Sequence, residues 1–261
     1  MHLIINDKSK MEMFVALFQL LKNWTSNLSM HFEKDKLFIQ TMDQAHICLA
    51  NITISSTWFS EYSCLNDTRI CVDALHFAIM VNYALKHKKM EIRFEDEVEP
   101  DKLFINLQSD DVKKVNFDHF FELPLVELEQ DILSIPDVDY DVDFTIESKK
   151  FAELISELNV FGSTLNIKCS ENLLELNSVG DAGKLKINIP IDDLNEYAIA
   201  EGEELDISYS LNHISKMCLS TKLGLNVSVS ISTEYPMAIK YDLGVTEGSS
   251  VAFYIAPKFA E

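Results

Sequence analysis

A repeat hidden in the apolar pattern constrains this chain more than any single motif, because it fixes the number of structural units before their form is known. Phe14, Leu17, Phe18 and Leu21 are spaced i, i+3, i+4, i+7, the stripe of one helix face. Phe151, Leu154, Ile155 and Leu158 restate it in the second half of the chain, Phe151 standing to them as Phe14 stands to the first set. The offset from Phe14 to Phe151 also joins Leu28 to Leu165, Met30 to Ile167, Leu37 to Leu174 and Ile39 to Leu176. It continues through Phe77, Met80 and Val81 against Ile214, Met217 and Cys218, then Met90, Ile92 and Phe94 against Val227, Val229 and Ile231. Two helices can match by chance; a constant offset through helix, hairpin, helix and strand does not arise that way. The chain therefore reads as two copies of one unit, residues 1–119 and 137–261. Residues 120–136 form an acidic connector in which Pro124 and Pro136 oppose regular structure.

Each copy holds two short helices among many segments of period two, such as Leu28–Phe32, Met90–Phe94 and Leu225–Ile231. Asp73 is the expected N-cap of a helix over 74–86, and Ser148 that of a helix over 149–159. Strand runs with a few helices covering one face give an α+β layer architecture. Asp137–Phe144 alternates acid with apolar residue, which predicts a strand with one solvated face. As a cation site it lacks the glycine and terminal glutamate of a calcium loop.

Composition removes whole classes of function. The net charge is −20, so the chain as a whole repels polyanions, and contact with nucleic acid needs a segregated basic patch. Only seven glycines are present, and none falls in a phosphate-cradling pattern, which argues against the common nucleotide-binding enzymes. The seven histidines show no metal-site spacing, and the five cysteines form no CxxC pair, so they read as reduced packing thiols of an intracellular protein. No apolar run reaches the length of a membrane span, and the first residues turn polar too early for a signal peptide. The expectation is no enzyme, no metal, no cofactor and no membrane.

The basic residues are not scattered. Lys8, Lys10 and Lys22 flank the first helix, and Lys86, Lys88 and Lys89 end the second. Lys149 and Lys150 begin the third, while Lys216 and Lys222 belong to the fourth. Ten of 22 basic residues thus lie on or beside four short helices, which favours a helix-lined surface that attracts phosphate without reading sequence.

Ile39-Gln40-Thr41-Met42-Asp43-Gln44-Ala45-His46-Ile47 resembles the LQxMDxxHV signature of the proliferating cell nuclear antigen family, the DNA sliding clamps. Ile135-Pro136 with Tyr140 resembles the end of that family's interdomain connector. Gly180-Asp181-Ala182-Gly183 is similar to its GdxG turn, and Tyr254-Ile255-Ala256-Pro257-Lys258 to its terminal YLAPK. The matches run in family order over essentially the whole chain. The resemblance implies a DNA-clamp fold, in which a homotrimer (in some members a heterotrimer) closes a ring of six domains, with strands outside and helices lining the hole. It implies a non-enzymatic processivity factor that encircles double-stranded DNA and docks DNA polymerase, clamp loader, nuclease or ligase through short peptides. It further implies residence in the nucleus, or in a viral replication compartment if the source is a large DNA virus.

Carried over residue by residue, the docking pocket would comprise Met42, His46, Ile47, Leu133, Ile135, Tyr235, Pro236, Tyr254, Ala256, Pro257 and Lys258. The DNA-facing set would be Lys8, Lys10, Lys22, Lys86, Lys114, Lys149, Lys150 and Lys216. Subunits would pair edge to edge through strands near Val112–Phe117 and Leu174–Val179. There are departures: Glu153 and Ser156 stand where the family's third helix carries arginines, and Ile79, Asn82 and Leu219 replace other basic positions. Glu153 and Ser156 motivate an alternative to a DNA-encircling clamp, a clamp-fold scaffold acting as a monomeric binding module; an enzyme whose site is assembled from dispersed carboxylates is a third class, and no recognisable spacing supports it.

Overall fold

Alternating apolar residues build eighteen strands among the described residues, and in each half two helices pack on one another beside them. The computed structural model describes residues 1–109, 117–129, 131–219, 221–244 and 248–258. Lys114 and most of Val112–Phe117 lie outside them. The chain divides into two compact units. The first comprises Met1–Gln44, Ala50–Leu133 and Leu243–Val251, and the second Ala45–Leu49, Ser134–Asp242 and Ala252–Glu261.

In the first unit the order is β1 (His2–Ile5), α1 (Lys8–Leu21), β2 (Asn27–Phe32), β3 (Lys36–Met42), β4 (Cys48–Ser55), β5 (Glu61–Ser63), β6 (Thr68–Asp73) and α2 (Ala74–Asn82). It ends with β7 (Lys89–Arg93), β8 (Lys102–Gln108) and β9 (His119–Pro124). The strands run β5-β1-β7-β8-β9 in one sheet and β4-β3-β2-β6 in another, and α1 packs against α2. The second unit repeats the plan: β10 (Val142–Glu147), α3 (Ser148–Phe161), β11 (Thr164–Ser170), β12 (Leu173–Gly180), β13 (Gly183–Pro190), β14 (Glu196–Ile199), β15 (Leu205–Ser210) and α4 (Leu211–Met217). Then come β16 (Asn226–Ile231), β17 (Met237–Asp242) and β18 (Ser250–Ile255), with strand orders β14-β10-β16-β17-β18 and β13-β12-β11-β15.

Strand register carries the repeat offset faithfully where hairpins set it. Met30 faces Ile39 and Ile167 faces Leu176, while Leu28 faces Val72 and Leu165 faces Tyr209. At the start of each unit the offset changes. Leu3 faces Ile92 and Phe144 faces Val229. The step from Ile92 to Val229 keeps the offset, whereas that from Leu3 to Phe144 overshoots it by about one helical turn. The helices α1 and α3, both of 14 residues, begin at Lys8 and Ser148, which overshoots it by nearly as much. A helix face recurs every three or four positions, so a slip of one turn leaves the apolar stripe intact and escapes detection in the sequence.

The slip is visible at both ends of α3. Asn6 and Asp7 separate β1 from α1, and Asp7 caps it by accepting from Lys10 N at 2.8 Å. Strand β10 instead runs directly into α3, so Glu147 takes the cap position and Ser148 becomes a buried helical residue whose hydroxyl has no partner among the described residues. Ser148 is therefore not the cap expected of it. At the other end Gly162 and Gly180 let α3 and β12 approach: a Cβ on Gly162 would sit 2.4 Å from Val179 O. The helix expected over 74–86 is α-helical to Asn82 and tightens to 3-10 over Tyr83–Lys86, with Asp73 capping it through His76 N as anticipated. Of the Asp137–Phe144 run only Val142 onward pairs as a strand, with Val142 and Phe144 buried and Asp143 exposed.

Trp58 and Phe14, Phe18 and Phe77 anchor the first core, and Tyr209, Tyr241 and Phe253 are fully buried large residues of the second half of the chain. All five cysteines are buried and free, and burial pushes the Cys169 and Cys218 thiols up to about 12.

Candidate docking and DNA-facing surfaces

Strand β9 takes up residues 120–124 of the expected connector, Pro124 included, because it lies on a sheet edge where a missing N–H costs no ladder bond. Past it the described residues of the connector carry no strand, yet their path is fixed. Leu125 N donates to Asp101 O at 2.8 Å, and Val126 N to Cys71 O at 2.9 Å. Arg69 donates to Leu128 O at 2.6 Å, and the Gln40 carboxamide pairs with the Leu133 main chain. With its backbone held, Leu133 is still 47% exposed. It lies over the β3 face that Gln40 shares with Met42, since alternate strand residues point the same way. Sequence reasoning quoted Gln40 only as motif spelling. No signal set it apart, since a glutamine on an outer strand face is satisfied by water unless something covers it, and the cover at Gln40 appears only in the fold.

In the second unit Ala256 N donates to Ile47 O at 3.3 Å, which brings the loop holding His46 and Ile47 against the C-terminal segment. His46 has a φ of 56°, the sole positive value at a non-glycine position among the described residues. Lys258 is tied twice, N to Ser208 O at 2.7 Å and Nζ to Thr164 Oγ1 at 2.8 Å. Tyr254 and Tyr140 are half-buried; burial raises both phenols, and the neighbouring Tyr254 and Asp143 add to the rise at Tyr140. Tyr235 and Pro236 project from the β16–β17 loop, which Asp141 holds by accepting from Thr233 N at 2.9 Å. Ile135 is half-buried in the same unit. Each unit thus presents apolar side chains from backbone that is fixed by hydrogen bonds.

The lysines sort into two groups. Lys8, Lys86, Lys149, Lys150 and Lys216 are exposed. Lys149 and Lys150 occupy the first turn of α3, where the positive end of the helix dipole disfavours them, so helix stability does not account for their presence. Lys10 is half-buried: its ammonium donates to Trp58 O at 2.6 Å and lies over the indole, 5.5 Å from the ring centre. Lys22 donates to Gln19 Oε1, and Gln19 in turn donates to Ala78 O, so Lys22 is part of the α1–α2 contact. Leu75, Ile79, Val160 and Leu219 are exposed apolar residues on or beside the helices, and Glu153 and Ser156 are exposed on α3.

Strand edges give a correction. Strand β12, which contains Leu174–Val179, is flanked by β11 and β13 and has no free edge to offer another chain. Of the strands at sheet edges, β5 and β14 are short, β6 is capped by Val126 and β15 by Lys258. Strands β9 and β13 are longer than β5 and β14, and among the described residues no strand pairs with their outer edges.

Comparison with known proteins now decides the family. The model of the proliferating cell nuclear antigen N-terminal domain matches residues 8–132, and that of its C-terminal domain residues 134–258. The chain belongs to the proliferating cell nuclear antigen family. It is 24% identical over 229 residues to the proliferating cell nuclear antigen of Chaetomium thermophilum, covering 85% of each chain. It is 24% identical over 243 residues to proliferating cell nuclear antigen 2 of Drosophila melanogaster, covering 93% of this chain and 91% of that one. Proliferating cell nuclear antigen 2 of Plasmodium falciparum is 22% identical over 257 residues, 96% and 97% of the two chains. The function is that of a DNA sliding clamp, a non-enzymatic family, and the α+β architecture of two repeated units is that of the clamp fold.

Proposed function

We propose that three copies of this chain close head to tail into a ring around duplex DNA and carry replication and repair proteins along it. The observation that supports this most directly is the pair of open edges, β9 in one unit and β13 in the other. Because the two edges differ, their pairing between copies is heterologous, and such contacts close a ring when the rotation between copies divides the circle. Exposed Phe117 and Phe120 at β9 give that edge apolar cover to bury. Pairing also removes the aggregation hazard of an open edge.

In this reading Lys8, Lys86, Lys149, Lys150 and Lys216 face phosphate, with Lys114 also assigned by family position. Topology supplies retention: a closed ring holds duplex DNA through weak, salt-sensitive contacts. Met42, His46, Ile47, Leu133, Ile135, Tyr235, Pro236, Tyr254, Ala256, Pro257 and Lys258 receive a short helical turn with aliphatic and aromatic anchors from a polymerase, clamp loader, nuclease or ligase. The protein works without catalysis, cofactor or metal, in the nucleus or a viral replication compartment.

Light scattering tests the ring: a mass three times 29.8 kDa supports it, and Phe120→Asp then yields monomer. A wild-type monomer at every concentration refutes it. It would favour a monomeric docking module instead, the reading to which exposed Leu75, Ile79 and Glu153 lend weight. For docking, the double variant Ile135→Ala, Tyr254→Ala loses a polymerase-tail peptide; undiminished affinity refutes the pocket assignment.

A further inference from the structure

Gln40 stands on the outer face of β3 and is nonetheless 3% exposed. Its Oε1 accepts from Leu133 N at 2.7 Å, and its Nε2 donates to Leu133 O at 3.0 Å. The second Nε2 hydrogen goes to Asn51 Oδ1 at 3.1 Å. A carboxamide carries one donor and one acceptor side by side, as a peptide group does, so this pair reproduces one rung of an antiparallel ladder with a side chain in place of a strand. Arg69, which also reaches the connector, donates to the Leu128 carbonyl and to Ser29 Oγ, and has no acceptor to offer an N–H.

We propose that Gln40 is a positioning residue for partner docking: its carboxamide latches the Leu133 peptide and holds the connector in the path that receives the partner. The proposal rests on the docking function assigned above. A segment that leaves its last ladder at β9 samples many paths, and ordering it at the moment of binding lowers affinity. When the competent path is only partly populated, apparent affinity falls by that fraction. Latching the Leu133 main chain leaves the side chain free to contact a partner beside Met42 while its position is already set.

The chemistry is specific to glutamine. Glutamate at this position turns the Nε2 donor into an acceptor facing Leu133 O and Asn51 Oδ1. Leucine fills the volume without either bond, and asparagine is one methylene short of Leu133.

The test uses the full chain as wild type, Q40L, Q40E and Q40N. Three quantities are read: hydrogen exchange at the Leu133 amide, exchange at the Ile39 and Thr41 amides, and the Kd for a synthetic peptide bearing aliphatic and aromatic anchors in one helical turn. The expected result is exchange at Leu133 at least tenfold faster in Q40L and Q40E, with a peptide Kd about tenfold higher, the scale of one to two lost neutral hydrogen bonds. Exchange at Ile39 and Thr41 stays slow, which separates a freed connector from a damaged strand. Should Q40L loosen β3, Q40N, which keeps the amide, carries the same comparison. Leu133 exchanging as slowly in the variants as in the wild type overturns the latch. Faster exchange with unchanged peptide affinity overturns the positioning role. A wild-type protein that does not bind the peptide refutes the docking function itself, an outcome read before any variant is made.

Discussion

Replacing Lys149 and Lys150 together by alanine separates a DNA-facing role from a structural one, because the two roles predict opposite signs. Both ammonium groups are exposed and sit on the first turn of α3, whose N-cap Glu147 provides no side-chain hydrogen bond. Cations at a helix N-terminus oppose the macrodipole by about 0.3–1 kcal/mol each. The double variant should therefore be as stable as the wild type or up to ~2 kcal/mol more stable. On DNA, each lysine that neutralises a phosphate contributes about 0.9 to the slope of log K against log salt. Losing two at one α3 contact lowers the slope by about 1.8, so a fourfold change in salt alters retention roughly twelvefold less. The assay is retention of loaded protein on circular duplex across a salt series, paired with the thermal midpoint. A slope equal to that of the wild type would show that α3 does not face phosphate. A fall in the midpoint would show that the lysines serve the fold, and either result ends the reasoning.

Gly162→Ala should cost about 2–3 kcal/mol, since its Cβ meets Val179 O at 2.4 Å and main chain cannot yield cheaply; urea midpoints against Gly202→Ala, at an open site with φ +76°, check this. Hydrogen bonds from His76, first that of its main-chain N–H, hold the Asp73 carboxyl below the usual carboxylate range. That stability is present above the unfolded carboxylate pKa and is lost as pH falls through the folded value. Asp73→Asn should accordingly change stability by no more than about 1 kcal/mol at pH 7 and narrow its gap to the wild type below about pH 4, as pH-dependent denaturation will read. With Cys169 and Cys218 thiols pushed up to about 12 and all five cysteines buried, a thiol reagent at pH 8 should label the native protein slowly and label five groups in denaturant. Rapid native labelling at either would contradict the packing described.

Hairpin-borne features were legible in the sequence because strand alternation has a period of two and a slip of one position turns the core outward. That is why the Met30–Ile39 and Ile167–Leu176 pairs keep one offset. The helices tolerate a slip of a whole turn, and with it went the cap at Ser148 and the offset of β10. Tyr62 and Tyr197 escaped for a related reason. Each donates its hydroxyl to the turn after the second strand of its unit, at Glu33 and Lys36 or at Ser170, but the step from one tyrosine to the other falls short of the repeat offset. Edge status is a property of the neighbours a strand acquires, so β12 and β13 could not be told apart by composition. The fate of Lys10 depended on Trp58, far along the chain. For the docking residues, motifs supplied positions, while the hydrogen bonds holding Leu133 and Ala256 join residues distant in sequence and exist only in the fold.

Val126 donates to Cys71 O and Lys258 to Ser208 O, and Cys71 and Ser208 are themselves separated by the offset that joins Phe14 to Phe151. The connector and the C-terminal tail are therefore one device used twice, a short run past the last strand that folds back to seal an edge. Two half-length chains, each ending shortly after such a seal, would each be closed on that side without help from the other.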